Sequence, residues 1–334
     1  MKVSAVMPVF NAARTVERAL RSLLEQDFRE PWEVVAVDDG STDGSAEALE
    51  AFARRDGRVR VIRRPHEGIV AALNAGLAAA RGRYIARMDA DDECAPDRLR
   101  RQAALLDERP EIGIAGCRVR FGGDRERQAG YAAYVDWLNS LIEPEAIALN
   151  RFVESPFAHP SVMFRRELPE RLGAYRDGPF PEDYELWLRW MDAGVKGAKV
   201  DAELVVWNDP PERLSRTDPR YAPEAFFRMK ARYLARWLAR HNRFHPEVTV
   251  WGAGRVTRRR AAFLEEEGVR ITRFIDLKRR RPPCGRPVLT PEELPPPGRF
   301  FVVAMVGKRG AREEIRERLA AAGYREGRDF ILGA

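Results

Sequence analysis

Four apolar runs within roughly the first ninety residues, each followed by polar residues and then by apolar residues at helical spacing, constrain this chain most. Residues 3–9 read as a buried strand, after which Val16, Ala19, Leu20, Leu23 and Leu24 recur along one helical face. Residues 32–37 form the next strand, and the helix after it carries Ala48, Leu49 and Phe52. Residues 59–62 with a helix over 70–81, then residues 83–88 with a helix over 97–108 stopped by Pro110, complete the pattern. Strands alternating with helices imply a mainly parallel sheet covered on both faces. Ligands of such sheets bind outside the carboxyl ends of the strands.

Two of the strands run directly into acid. The second meets Asp38 and Asp39, and the fourth meets Asp89, Asp91 and Asp92 in the stretch Arg87-Met88-Asp89-Ala90-Asp91-Asp92. Like charges crowded at a strand end repel one another, so the arrangement suggests a cation. Alternating Asp-x-Asp suits a hard, oxygen-seeking ion, Mg²⁺ or Mn²⁺, held by Asp91 with Asp89. Such ions leave their remaining positions to water and to substrate phosphate, so a site this sparse implies a diphosphate partner. A solvated acidic turn capping the next helix is the plain alternative for the motif taken alone. Asp39 can accept a hydrogen bond from a base or a ribose, and a nucleotide would then lie between the two acidic ends. Asn11 lines the same edge or caps a helix.

These residues resemble the family 2 glycosyltransferases with a GT-A fold. The likeness is carried by Met7-Pro8-Val9-Phe10-Asn11, by residues 37–45, by Asn74-Ala75-Gly76, by residues 88–92 and by Pro181-Glu182-Asp183-Tyr184-Glu185-Leu186-Trp187, in the family's order. It implies an α/β, Rossmann-like catalytic domain over residues 1–220. Pro8, Phe10, Asn11, Asp39, Asn74 and Asp89 would then bind the nucleotide-sugar, Asp91 and Asp89 the metal, and Asp183 would act as catalytic base. Candidates on the acceptor side are His159, Glu182, Trp187 and Arg213. By pattern alone Glu182 and Asp183 are the acidic first turn of an amphipathic helix, and His159 beside Pro160 serves equally as a structural hydrogen bonder. The loop over residues 207–216 has neither a histidine for the metal nor the Gln-x-x-Arg-Trp pattern of processive members, which favours transfer of one sugar.

The chemistry asks for such residues. Breaking the bond from an anomeric carbon to a nucleoside diphosphate needs neutralisation of the leaving group, and an oxocarbenium-like centre develops as it departs. One carboxylate within reach of the acceptor hydroxyl suffices for an in-line displacement, and inversion follows.

Beyond residue 220 the character changes. A helix over residues 224–241, in a linking segment 221–247, presents Arg228, Arg232, Arg236 and Arg240 at every fourth position. Residues 248–334 repeat a β-α-β logic as a second, smaller Rossmann-like α/β domain. Gly252-Ala253-Gly254 with Asp276 imitates a dinucleotide fingerprint whose third glycine is replaced by Thr257. Lys308 and Arg309 lie in a glycine-flanked loop at a helix start, which suits phosphate. From Arg240 onward 21 Lys and Arg stand against 12 Asp and Glu, so the net charge of +7 belongs to this part.

More narrowly, Gly116-Cys117-Arg118-Val119-Arg120, Trp137-Leu138-Asn139, Trp251 and Glu326-Gly327-Arg328-Asp329-Phe330 resemble the queuosine-tRNA galactosyltransferases. That implies a UDP-sugar donor, UDP-galactose, and tRNA as acceptor. The competing acceptor is a surface polysaccharide or lipid-linked saccharide, because a basic helix with Phe226 and Trp237 also suits peripheral contact with an anionic membrane. A nucleotidyl- or pyrophosphate-processing enzyme would share the metal site without needing Asp183. A non-catalytic nucleic-acid-binding protein would leave the acidic edge unexplained. No run reaches the roughly 18 apolar residues of a membrane span, and the first eight residues do not make a signal peptide, so the chain is expected in the cytoplasm. Cys94, Cys117 and Cys284 are too few and too scattered for a disulfide framework or a zinc cluster.

Overall fold

Strands β1 (Val3–Val9) and β2 (Trp32–Asp38) are buried along their whole length, as near-continuous apolar runs are when helices cover both faces of a parallel sheet. They pair in parallel with each other, β2 with β3 (Val59–Arg63), and β1 with β4 (Tyr84–Arg87). The computed structural model describes residues 1–210, 213–278, 285–308 and 310–334, and these divide into two compact units. The first comprises residues 1–148, 156–178 and 182–217, and the second 149–155, 179–181 and 218–334.

The remaining strands of the first unit are β5 (Glu93–Cys94), β6 (Ile112–Phe121), β7 (Met163–Arg165) and β8 (Lys196–Trp207). The eight-stranded order is β3-β2-β1-β4-β7-β6-β8-β5. β7 lies antiparallel between β4 and β6, and β5 is antiparallel to β8. β6 and β8 run parallel to each other and in the direction of β1. Their ends, Phe121 and Trp207, therefore reach the same sheet edge as Val9, Asp38 and Arg87. Between β1 and β4 the strand order reverses direction, the place where open α/β sheets hold ligands.

Helices α1 (Val16–Leu24), α2 (Ser45–Arg55), α3 (Ile69–Ala79) and α4 (Arg98–Glu108) follow the first four long strands. α3 lies so close to the sheet that a Cβ on Gly76 would stand 2.4 Å from Val6 Cγ1. Only glycine permits that approach. Helices α5 (Ala129–Ser140), α6 (Pro144–Asn150), α7 (Glu167–Leu172) and α8 (Glu182–Asp192) complete the cover. α8 sends Leu186, Trp187 and Trp190 into a core with Phe157 and Phe164. A four-residue helix, α9 (Leu214–Thr217), closes the unit.

In the second unit α10 (Pro223–His241) precedes an all-parallel sheet of order β11-β10-β9-β12-β13. Its strands are β9 (Glu247–Trp251), β10 (Arg270–Ile275), β11 (Val288–Leu289), β12 (Val302–Ala304) and β13 (Phe330–Leu332), with α11 (Arg255–Glu266) and α12 (Ala311–Ala321) as crossovers. Residues 149–155 pack here, Phe152 meeting Trp237 edge-on. Arg309 and Cys284 lie outside the described residues, as do Arg279, Arg280 and Arg281 of the basic run. No helix among the described residues is long and apolar enough to cross a membrane.

Candidate active site

The parallel strands deliver Phe10 and Asn11, Asp39, and Asp89 to Asp92 to one edge. Asp39 follows β2 and is buried. Its carboxylate accepts the main-chain N–H groups of Glu67 (3.2 Å) and Gly68 (2.8 Å) and lies 2.8 Å from His66 Nδ1. His66 stacks on the exposed ring of Phe10, centroids 3.9 Å apart. Residues after three different strands thus make one flat wall, the kind of surface against which a planar base lies. Pro8 is a buried member of β1, opposite Val37. Asn11 takes a left-handed conformation (φ 48°), and its amide oxygen accepts the Thr42 N–H at 2.9 Å. Because α1 is capped at Thr15, Asn11 caps no helix; it ties the β1 turn to the loop after β2. Asn74, on α3, exchanges two hydrogen bonds with the main chain of Tyr175, 3.0 and 3.1 Å long, and so fixes that residue's position.

Past β4, carboxylate oxygens of Asp89, Asp91 and Asp92 lie within 4.8 Å of one another. Arg87 stands immediately before them, almost fully buried and ion-paired with Asp89. Asp92 accepts the Asn208 N–H at 2.7 Å through one oxygen, while its other oxygen is buried without a partner among the described residues. Burial, and next the charge of Asp89, push the Asp91 carboxyl up to about 6 and the Asp92 carboxyl well above its ordinary range. A divalent cation fits this set: three hard oxygen donors converge, one lone buried oxygen needs a partner, and the raised carboxyls report missing positive charge. Asp92 joins Asp89 and Asp91 as a candidate ligand.

Asp183 begins α8. Burial and the neighbouring Glu182 raise its carboxyl to about 7, although it accepts the Tyr184 N–H at 2.7 Å. Glu182 is itself buried. Tyr175 is linked electrostatically to Asp183, Glu182 and Asp89, which sets the base candidate and the acidic cluster on either side of one buried tyrosine. Its hydroxyl lies 2.7 Å from His159 Nε2. Burial, then Arg87 and Arg213, drive the His159 imidazole well below its usual range, which keeps it neutral around pH 7. Trp187 is fully buried among Phe157, Phe164 and Trp190 and forms the back of the wall, not a surface open to an acceptor.

Arg213 supplies the second cation of the crevice. It lies over the Trp207 ring at 4.4 Å, donates to the Tyr131 hydroxyl and acts electrostatically on Asp91, Asp92 and Asp183. Asn208, just past β8, holds the acidic turn from the other side by donating to the Asp91 carbonyl at 2.7 Å. Sequence reasoning missed Arg87, Tyr175 and Asp92 as a candidate ligand. Arg87 carried a signal, because a charged residue in a strand otherwise apolar needs a partner.

In the second unit Arg228, Arg232, Arg236 and Arg240 are all exposed on one face of α10. Arg228 is ion-paired with Glu266 and Arg232 lies 3.7 Å from Glu267, both at the end of α11; Arg236 stacks on Tyr233. Lys308 is exposed. The dinucleotide-like turn is tight at its first glycine and open at its second, where a Cβ on Gly254 would meet nothing within 4 Å. Asp276 accepts the Ala253 N–H at 2.9 Å, and a Cβ on Gly252 would meet Thr257 at 2.7 Å and Val306 at 2.8 Å.

Comparison with known proteins bears on the fold and the family. The family model described as Glycosyl transferase family 2 matches residues 4–173. The amylovoran biosynthesis glycosyltransferase AmsE of Erwinia amylovora is 31% identical over 212 residues, covering 60% of this chain and 74% of its own. EpsJ of Bacillus subtilis (strain 168), an uncharacterised glycosyltransferase, is 29% identical over 259 residues, 72% of this chain and 70% of its own. Among solved structures, S. aureus TarS 1–349 in complex with UDP-GlcNAc superposes with a TM-score of 0.59 at 19% identity, covering 80% of this chain and 71% of that one.

Proposed function

This chain belongs to glycosyl transferase family 2, and on that premise we propose that it is an inverting, non-processive enzyme moving one hexose from a UDP-sugar to an acceptor hydroxyl with the help of Mg²⁺ or Mn²⁺. The observation that carries this reading is Asp183: a carboxyl raised to about 7, in the same electrostatic field as the acidic cluster. A base whose pKa matches the working pH takes up a proton most effectively, contributing about 10² to 10⁴ in rate.

In this reading Phe10, His66 and Asp39 receive the uracil and ribose. Asp89, Asp91 and Asp92 would hold the metal, which supplies charge neutralisation for the diphosphate when bound. Arg87 and Arg213 offset part of the charge of the acids. Asp183 takes the proton of the attacking hydroxyl on the side opposite the leaving group. Tyr175, fixed by Asn74 and His159, holds the wall beside it.

Among acceptors, a surface polysaccharide or lipid-linked saccharide has the better support. A relative is named for amylovoran biosynthesis, and two arginines of the α10 stripe are engaged by Glu266 and Glu267. The tRNA reading, with UDP-galactose as donor, rests on exposed Arg236, Arg240 and Lys308 and on the narrower likeness. The mechanism is tested by Asp183→Asn, which should lose transfer by about 10² or more with UDP affinity kept, since the lost interaction belongs to the transition state. Near-normal turnover in that variant would move the base to Glu182.

A further inference from the structure

We propose that the second unit carries a binding site of its own for a small phosphate-bearing anion, clamped by Lys230, Arg260 and Arg312 at the carboxyl ends of β9 and β12. This rests on side chains outside the transferase crevice and is independent of the donor and acceptor readings.

Lys230 projects from α10 and is 4% exposed, an uncommon state for a lysine that makes no ion pair among the described residues. Its ammonium donates to the Val153 carbonyl at 3.1 Å and lies over the Phe227 ring at 4.1 Å. One of its three donors is used in this way. Arg260, on α11, stacks on the same ring at 4.3 Å, and its guanidinium presses on the loop after β12, where a Cβ on Gly307 would lie 2.3 Å from Nη1. Among the described residues neither Lys230 nor Arg260 has an ion pair. Arg312, in the first turn of α12, donates to the Ala334 main-chain oxygen at 2.9 Å and acts electrostatically on both.

Two cations thus share one aromatic ring and a third, Arg312, acts on both, with exposed Glu154 as the acid that offsets them. Burial, opposed by Glu154 and reinforced by Arg260 and Arg312, brings the Lys230 ammonium down to about 7. Such crowding is costly without a counter-charge and favourable with one. The place suits phosphate on separate grounds. Parallel sheets offer ligands the carboxyl ends of their strands, and here Gly307 lies just past β12 while Arg312 sits in the first turn of an eleven-residue helix whose N-terminal N–H groups attract anions. Lys230 is too deep to meet a flat membrane surface, so the ligand is a small free molecule.

The test is calorimetric titration of the full chain with pyrophosphate and, separately, inorganic phosphate. EDTA removes the metal-dependent route into the acidic crevice, and sodium chloride holds ionic strength constant. Saturable binding is expected for at least one anion, weakened tenfold or more in Arg260→Gln and in Lys230→Met, and unchanged in Asp91→Asn. The ratio of the two affinities tells a monophosphate from a diphosphate ligand. Lys230→Met replaces a buried charge with an apolar chain of similar length and should fold at least as well. Absence of saturable binding by the unmodified protein, or equal binding by the folded Arg260→Gln and Lys230→Met variants, overturns the proposal.

Discussion

Replacing Asp91 by Asn should make the metal-free protein more stable and the donor-bound protein less so. The Asp91 carboxyl moves from 3.8 to about 6, a shift of about two units, caused first by burial and then by Asp89. At 1.36 kcal/mol per unit the native state loses on the order of 3 kcal/mol when this group ionises, an amount shared with the coupled Asp92. The sign follows from linkage. A carboxyl whose folded pKa lies above its unfolded value binds its proton more tightly when folded, so stability falls as pH rises from about 4 through 6 and stays low above. Scanning calorimetry in EDTA should therefore find Asp91→Asn several degrees higher in Tm than the parent at pH 8, with the gap shrinking at pH 4.5. Adding Mn²⁺ with UDP should raise the parent and leave the variant nearly where it was. A variant no more stable than the parent at pH 8 in EDTA, or one protected equally by Mn²⁺ and UDP, would refute the reasoning.

The Asp183 carboxyl near 7 predicts that kcat/KM climbs with pH through 6 to 8 and levels off above; a flat profile over that range contradicts a carboxylate base there. Asp39→Ala removes the acceptor that fixes the Glu67 and Gly68 N–H groups, so UDP affinity measured by calorimetry should drop tenfold or more. Gly76→Ala, which raises helix propensity elsewhere, should here lower stability by about 1–3 kcal/mol in urea unfolding, because its Cβ meets Val6.

The first half of the fold was legible because each element announced itself. Apolar runs ended in acid, helical stripes followed, and the parallel edge brought Asp39 and Asp89 together as the alternation requires. The rest lacked local signals. β7 has three residues and is defined by lying between β4 and β6, a long-range fact. β8 carries Lys196, Lys199, Asp201 and Glu203, which interrupt any apolar run; Lys199 is accommodated by donating to the Leu138 carbonyl. Trp187 stands one helical turn after Asp183, and from the sequence both belong on the acceptor side. In the structure Asp183 is the only half-buried residue in the first turn of α8, while Leu186, Trp187 and Trp190 are core. Residues 149–155 read as continuous with what surrounds them, yet they pack with the second unit through Phe152, a pairing no periodicity encodes. The stripe on α10 was read correctly as four aligned arginines, but pairing with Glu266 and Glu267 depends on where α11 lands.

The central claim is single-sugar transfer with inversion, and product analysis tests it most directly. UDP-hexoses of known α configuration are offered with Mn²⁺ to a lipid-linked saccharide and separately to tRNA, and products are examined by mass spectrometry and by NMR of the new anomeric proton. The account predicts an acceptor heavier by one hexosyl unit, joined in the β configuration, with stoichiometric release of UDP. A retained α linkage, a ladder of several hexoses on one acceptor, or release of UMP in place of UDP would contradict it.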